Sequence, residues 1–84
     1  MKKITFIGTG YVGLVSGTGI SDFGHKVICA DISKEKIIQL NNGSVPIYEP
    51  GLSELLKKNV IAGRLSFTYD IKKAIRDSEI IFIA

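Results

Sequence analysis

The fold of this chain is decided by the stretch Gly8-Thr9-Gly10-Tyr11-Val12-Gly13. It follows directly on the apolar run at residues 4–7 and opens a segment of helical character. The first glycine permits a tight turn from strand to helix, and the second lets backbone N–H groups approach a diphosphate. The third lets the helix lie close against the strand, with its positive end facing the phosphates. The stretch therefore predicts a turn that binds a dinucleotide.

An acidic residue supports this interpretation, because Asp31 closes the next apolar run eighteen residues beyond Gly13. At about this distance an acidic side chain meets the adenosine ribose. A carboxylate there accepts hydrogen bonds from both ribose hydroxyls and repels the 2′-phosphate of NADP, which favours NAD as the cofactor. Two alternatives stay open. Asp31 could only help to cap the following helix, and the nearby Lys34 and Lys36 weaken the argument against NADP.

The composition is that of a small folded α/β domain. The chain has 84 residues, of which 45% are hydrophobic and 23% charged, enough for a single small core. The net charge of +3 comes from lysines and arginines scattered along the chain, which argues against a nucleic-acid partner.

The one cysteine, Cys29, lies inside an apolar run, so no disulfide forms and a buried hydrophobic role is favoured over a catalytic thiol. The apolar run near the N-terminus is five residues long, too short for a signal peptide or a membrane span. We therefore expect a soluble cytoplasmic protein with no membrane partner, and no metal site is predicted.

Strands are predicted at residues 3–8, 27–31, 65–69 and 79–84. The first, second and fourth are nearly continuous apolar runs, which is typical of parallel strands covered on both faces. The third alternates apolar and polar residues, which indicates an edge strand.

Four helices are predicted between the strands. The first covers residues 11–23, the second is capped by Ser33, the third begins at Pro50 and the last is capped by Asp70. The side chains expected to point inward are Ile37, Ile38, Leu40, Leu52, Leu55, Leu56, Val60, Ile71, Ala74 and Ile75.

Three glycines inside the first helix each cost about 1 kcal/mol relative to alanine. Close packing against the first strand and the ligand explains Gly13 and Gly17, which share a face. No packing reason is apparent for Gly19.

The order of elements predicts a Rossmann-like, doubly wound parallel sheet with strand order 3-2-1-4, the first part of a dinucleotide-binding domain. We expect residues 1–84 to be the N-terminal part of an NAD-binding domain whose catalytic and substrate domains lie outside this chain. The fourth strand would then have a bare outer edge, and the isolated segment would be marginally stable or self-associate.

Four segments resemble the start of the UDP-glucose/GDP-mannose dehydrogenase family. They are the turn at residues 8–14, Asp31 with Lys36, the Pro-Ile-Tyr-Glu-Pro-Gly-Leu loop at residues 46–52, and residues 63–68. The loop is the most specific of them. The resemblance covers essentially the whole chain.

The resemblance implies an NAD-dependent enzyme that oxidises UDP-glucose to UDP-glucuronate with two NAD. In the family a cysteine thiolate holds the intermediate aldehyde, and that cysteine and the nucleotide-sugar site lie beyond residue 84. Cys29 matches none of these residues, so this segment would have no catalytic residue. The resemblance further implies an oxidoreductase of polysaccharide biosynthesis, a UDP-sugar substrate and, at full length, a homo-oligomer.

The predicted cofactor-binding residues are Gly8, Gly10, Tyr11, Val12, Gly13, Asp31 and Lys36. Backbone N–H groups at the helix start would bind the diphosphate, with main-chain and apolar contacts from Tyr11 and Val12. In the family a basic residue at the place of Lys36 reaches the adenosine ribose. By the same analogy Tyr48 and Glu49 lie near the cofactor, although both could be purely structural.

Two rival functions remain open. One is a dehydrogenase of another nucleotide sugar, such as UDP-N-acetylmannosamine or GDP-mannose. The other is a non-catalytic NAD-sensing module, for example of a cation-transport system, against which the inserted loop and second helix argue. A third possibility is an inert folded fragment.

Overall fold

Four parallel strands form one sheet, and helices connect them. The computed structural model describes residues 1–84. In chain order the elements are β1 (Lys3–Ile7), α1 (Tyr11–Asp22), β2 (Lys26–Ala30), α2 (Lys34–Asn41), α3 (Leu52–Ile61), β3 (Leu65–Thr68), α4 (Ile71–Arg76) and β4 (Ile80–Ile83). None of the helices is long and apolar enough to cross a membrane.

The sheet has the order β3-β2-β1-β4, which confirms the predicted topology and the edge position of β3. Every neighbouring pair is parallel. Ile7 at the end of β1 is in register with Ala30 at the end of β2. The turn that follows β1 therefore lies beside Asp31, which follows β2.

The core fills one face of the sheet, beneath α1, α2 and α3. Its ten buried residues are Ile4, Phe6, Leu14, Val27, Cys29, Ile37, Leu40, Leu56, Leu65 and Phe67. On the opposite face α4 packs against β1, where the buried Thr5 hydroxyl donates a hydrogen bond to the carbonyl oxygen of Ala74 at 3.2 Å.

The predicted start of the third helix at Pro50 is wrong, because α3 begins at Leu52. Gly51 has φ 81° and ψ −11°, the geometry of the third residue of a type II turn. The N–H of Leu52 closes that turn on the carbonyl oxygen of Glu49 at 3.0 Å. Pro50 and Gly51 thus form a turn before the helix.

Several side chains predicted to point inward are exposed, namely Ile38 (49%), Val60 (41%) and Ile75 (40%), whereas Leu55 and Ile71 are half-buried. In α3 the buried positions are Leu52, Leu56 and Asn59, which follow one helical stripe at i, i+4 and i+7. Val60 lies one residue beside that stripe. Asn59 is therefore buried at the position in α3 where the sequence pattern predicted Val60 to point inward.

The expected burial of the fourth strand is also wrong for this chain, since all four residues of β4 are exposed. β4 pairs only with β1, so one of its edges has no strand beside it. Phe82 of β4 stacks on Phe6 of the core, with ring centroids 5.0 Å apart.

Replacing Gly19 by alanine is expected to stabilise the fold by about 1 kcal/mol, since glycine inside a helix costs about that much relative to alanine. Gly19 lies within α1, and a Cβ built on it meets no atom within 4 Å. Urea denaturation of the wild type and the variant measures the change. A lower free energy of unfolding for the alanine variant would show that this glycine has a packing role.

Candidate functional site

The glycine turn is held to β2 by close backbone contacts. The N–H of Gly8 donates to the carbonyl oxygen of Ala30 at 2.7 Å, and Gly8 has φ +109°, a conformation that L side chains rarely adopt. A Cβ on Gly13 would be only 2.0 Å from the carbonyl oxygen of Gly8. The third glycine therefore lets α1 start directly against the turn.

Gly17 lies one helical turn later. Close packing against β2 is the main reason for a glycine there, and packing against β1 contributes less. A Cβ on Gly17 would be 2.9 Å from Sγ of Cys29 on β2, with Phe6 of β1 next at 3.5 Å. Cys29 itself is fully buried, and burial raises the pKa of its thiol to about 12. Cys29 is thus a core residue, as predicted, with a thiol that stays protonated.

The N-terminus of α1 has free hydrogen-bond donors. Gly10 is the N-cap residue and supplies no side-chain cap. The N–H of Leu14 donates to the carbonyl oxygen of Gly10 at 3.0 Å. The N–H groups of Val12 and Gly13 donate no hydrogen bond to a turn, a loop or another element. A Cβ on Gly10 would meet nothing within 4 Å. Bare N–H groups, open space and the positive helix end together suit a diphosphate.

Asp31 lies beside this turn and is bonded to it through Thr9. The Oδ2 atom of Asp31 accepts from the backbone N–H of Thr9 at 2.9 Å and from its hydroxyl at 2.7 Å. The Oδ1 atom accepts from the N–H of Ser33 at 2.9 Å. Ser33 is the residue that caps α2, so Asp31 also supports the helix start, as the alternative interpretation expected. A carboxylate has about four acceptor positions, which leaves room for a ligand hydroxyl.

The environment of Asp31 keeps it ionised. Partial burial raises its pKa, but the hydrogen bonds from Thr9 and Ser33, together with the charge of Lys36, lower the pKa by more, so that it lies below its ordinary value. Lys36 is exposed, in the first turn of α2. The structure thus brings a charged carboxylate and a nearby lysine to the carboxyl end of β2.

The lowered pKa of Asp31 predicts a loss of stability in acid. Its contribution is complete above the pKa of an aspartate in the unfolded chain, about 3.8, and is lost as the pH falls through the lower folded value. Urea denaturation of the wild type and of Asp31→Asn between about pH 3 and pH 7 tests this. The difference in free energy of unfolding is expected to be largest near neutral pH and to shrink in acid, whereas a constant difference would contradict the assignment.

The distinctive loop reaches the start of α1. The phenol of Tyr11 donates to Oε2 of Glu49 at 3.1 Å, and this hydrogen bond and the charge of Glu49 raise the pKa of Tyr11. Tyr48, by contrast, is 92% exposed. Of the two loop residues considered near the cofactor, Glu49 contacts a predicted site residue.

Thr9 was missed by the sequence reasoning. The signal was present, because a hydroxyl residue between two glycines of a turn that faces the next strand end can reach the carboxylate there. No group of three or more histidine, cysteine, aspartate or glutamate residues lies close enough to bind a metal ion.

Comparison with known proteins agrees with this geometry. Residues 2–84 match the model of the UDP-glucose/GDP-mannose dehydrogenase family, NAD binding domain. UDP-glucose 6-dehydrogenase TuaD of Bacillus subtilis is 62% identical over the whole chain, and GDP-mannose 6-dehydrogenase of Pseudomonas aeruginosa is 48% identical over 96% of it.

A solved UDP-glucose dehydrogenase from Pyrobaculum islandicum superposes with a TM-score of 0.94 at 37% identity over the whole chain. The chain spans 18% of the length of TuaD and 19% of the solved protein. The family match, the sheet order and the glycine turn agree. The chain therefore belongs to the UDP-glucose/GDP-mannose dehydrogenase family, with its residues 2–84 in the NAD-binding region.

Proposed function

We propose that this chain is the NAD-binding segment of a UDP-glucose 6-dehydrogenase, which oxidises UDP-glucose to UDP-glucuronate with two NAD. The observation that carries the proposal is the 62% identity to UDP-glucose 6-dehydrogenase TuaD across every residue of the chain. A GDP-mannose 6-dehydrogenase reaches 48%, so a dehydrogenase of another nucleotide sugar is the second candidate.

In this proposal the coenzyme site consists of Gly8, Gly10, Tyr11, Val12, Gly13, Asp31 and Lys36. The free N–H groups at the start of α1 would bind the diphosphate, and Asp31 would accept hydrogen bonds from the adenosine ribose. Lys36 would lie beside that ribose. When bound, NAD supplies the acceptor for the hydride that leaves the sugar.

The rest of the function lies outside residues 1–84. We propose that these residues are the N-terminal part of the NAD-binding domain, and that the catalytic residues and the UDP-sugar site follow in other parts of the protein. A cytoplasmic homo-oligomer acting in polysaccharide biosynthesis fits this proposal.

The test uses the full-length protein that contains this segment. With NAD, UDP-glucose is expected to yield two NADH per UDP-glucuronate and to be oxidised faster than GDP-mannose or UDP-N-acetylmannosamine. Faster oxidation of either competitor would replace the proposed substrate. NAD binding with no oxidation of any nucleotide sugar would indicate a sensing module.

A second experiment addresses the coenzyme site itself. Calorimetric titration is expected to show that Asp31→Ala weakens NAD binding, with Asp77→Ala as a control, since Asp77 is the C-cap residue of α4 and pairs with Lys73 on the surface. Equal heats for the wild type and Asp31→Ala would place the coenzyme elsewhere.

A further inference from the structure

Thr9 is a buried polar residue whose side chain has a single partner. It is 2% exposed, although it lies in a turn between two glycines. Its hydroxyl and its backbone N–H both donate to the same oxygen, Oδ2 of Asp31, at 2.7 and 2.9 Å. A buried hydroxyl costs free energy unless it is hydrogen-bonded, and here the bond goes to a charged group.

These bonds fix the direction of the Asp31 carboxylate. Thr9 holds Oδ2 from the side of the glycine turn, and the N–H of Ser33 holds Oδ1 from the side of α2. Without the Thr9 hydroxyl, one N–H bond from each side would remain, and the carboxylate would be held less firmly. The Thr9 hydroxyl therefore helps to orient the Asp31 carboxylate, in addition to stabilising its charge.

Orientation matters because a ribose hydroxyl needs an acceptor at a fixed place. A carboxylate that is already oriented loses less conformational freedom when the ligand binds. Thr9 also belongs to the turn whose helix start would bind the diphosphate. The same residue thus ties the diphosphate-binding backbone to the ribose-binding side chain.

We propose that Thr9 is a positioning residue for the coenzyme, whose hydroxyl aims the Asp31 carboxylate at the 2′-hydroxyl of the adenosine ribose. The proposal rests on the proposed function and deepens it. Thr9 thereby sets how strongly the site distinguishes NAD from a coenzyme altered at the 2′ position. A purely structural role, in which Thr9 only fastens the turn to β2, is the competing explanation.

The experiment measures affinities of the full-length protein for NAD and for an NAD analogue that has 2′-deoxyribose in its adenosine half. The wild type is expected to prefer NAD by about tenfold, the lower end for a hydrogen bond to a charged group. In Thr9→Val, which keeps the shape of the side chain, the preference is expected to fall to about twofold because NAD binding weakens more than analogue binding. Thr9→Ser keeps the hydroxyl and is expected to retain the wild-type preference.

The comparison separates the two roles. If the role of Thr9 is purely structural, Thr9→Val lowers the affinities for NAD and for the analogue by the same factor, and the preference for NAD stays unchanged. That result, or a wild type without preference, would overturn the proposal. Thr9→Ala is the second variant if Thr9→Val does not fold. Unaltered NAD affinity in Asp31→Ala would instead refute the coenzyme site, so failure of the Thr9 proposal and failure of the proposed function give different results.

Discussion

Gly13→Ala is expected to destabilise the fold by about 3 kcal/mol and to abolish NAD binding, because a clash with backbone atoms can be relieved only by moving the backbone. The added Cβ would lie 2.0 Å from the carbonyl oxygen of Gly8 and 3.1 Å from its carbonyl carbon. Gly8 cannot move away easily, since its N–H is bonded to Ala30 at 2.7 Å. The start of α1 must therefore shift, and the N–H groups proposed to bind the diphosphate shift with it. Urea denaturation and calorimetric titration with NAD measure the two effects.

Two other glycines of the same region serve as matched controls. Gly19→Ala lies in the same helix, where the new Cβ has open space, and it is expected to change stability in the opposite direction. Gly10→Ala also places its Cβ in open space. It is expected to leave stability nearly unchanged and to weaken NAD binding, because the new methyl group would occupy the space proposed for the diphosphate. A Gly13→Ala variant as stable as the wild type would show that the turn rearranges without cost.

The glycine turn and the strand order could be predicted because they depend on local backbone chemistry and on chain connectivity. The spacing of Gly8, Gly10 and Gly13 describes one turn of backbone, and no distant residue is needed to recognise it. Right-handed crossovers then leave few ways to arrange the strands. The edge position of β3 could be predicted for the same reason, because the alternation of apolar and polar residues within one strand indicates that one of its faces is exposed.

Two side-chain contacts between distant residues were not among the predictions. The bond between Tyr11 and Glu49 joins residues 38 apart, and the bonds between Thr9 and Asp31 join residues 22 apart. The first depends on how the loop that contains Glu49 folds back to the start of α1, whereas the second follows from two strand ends that lie side by side and was overlooked. The start of α3 was missed for a different reason, because Pro50 suits both the first turn of a helix and the second residue of a type II turn.

The burial of Asn59 was not predicted from the sequence, and it implies that this side chain contributes strongly to stability. Asn59 is fully buried in α3, where the sequence pattern had placed Val60 inward. Its Nδ2 atom donates to Oδ1 of Asp22 at 3.1 Å and to the carbonyl oxygen of Leu55 at 2.9 Å, and its Oδ1 atom accepts from Nε of Arg64 at 2.9 Å. One amide thus connects the end of α1, the body of α3 and the segment that leads into β3.

Asn59→Ala is expected to destabilise the fold by about 2 to 3 kcal/mol, because it leaves a cavity and removes the hydrogen bonds of a fully buried amide. The matched control is Asn41→Ala at the exposed end of α2, where a change within about 0.5 kcal/mol is expected. NAD affinity should be unaltered in both variants, since Asp22 lies at the end of α1 opposite the glycine turn. Equal stability of the two variants would mean that water replaces the amide. A loss of NAD affinity in Asn59→Ala alone would mean that α1 transmits strain along its length to the turn.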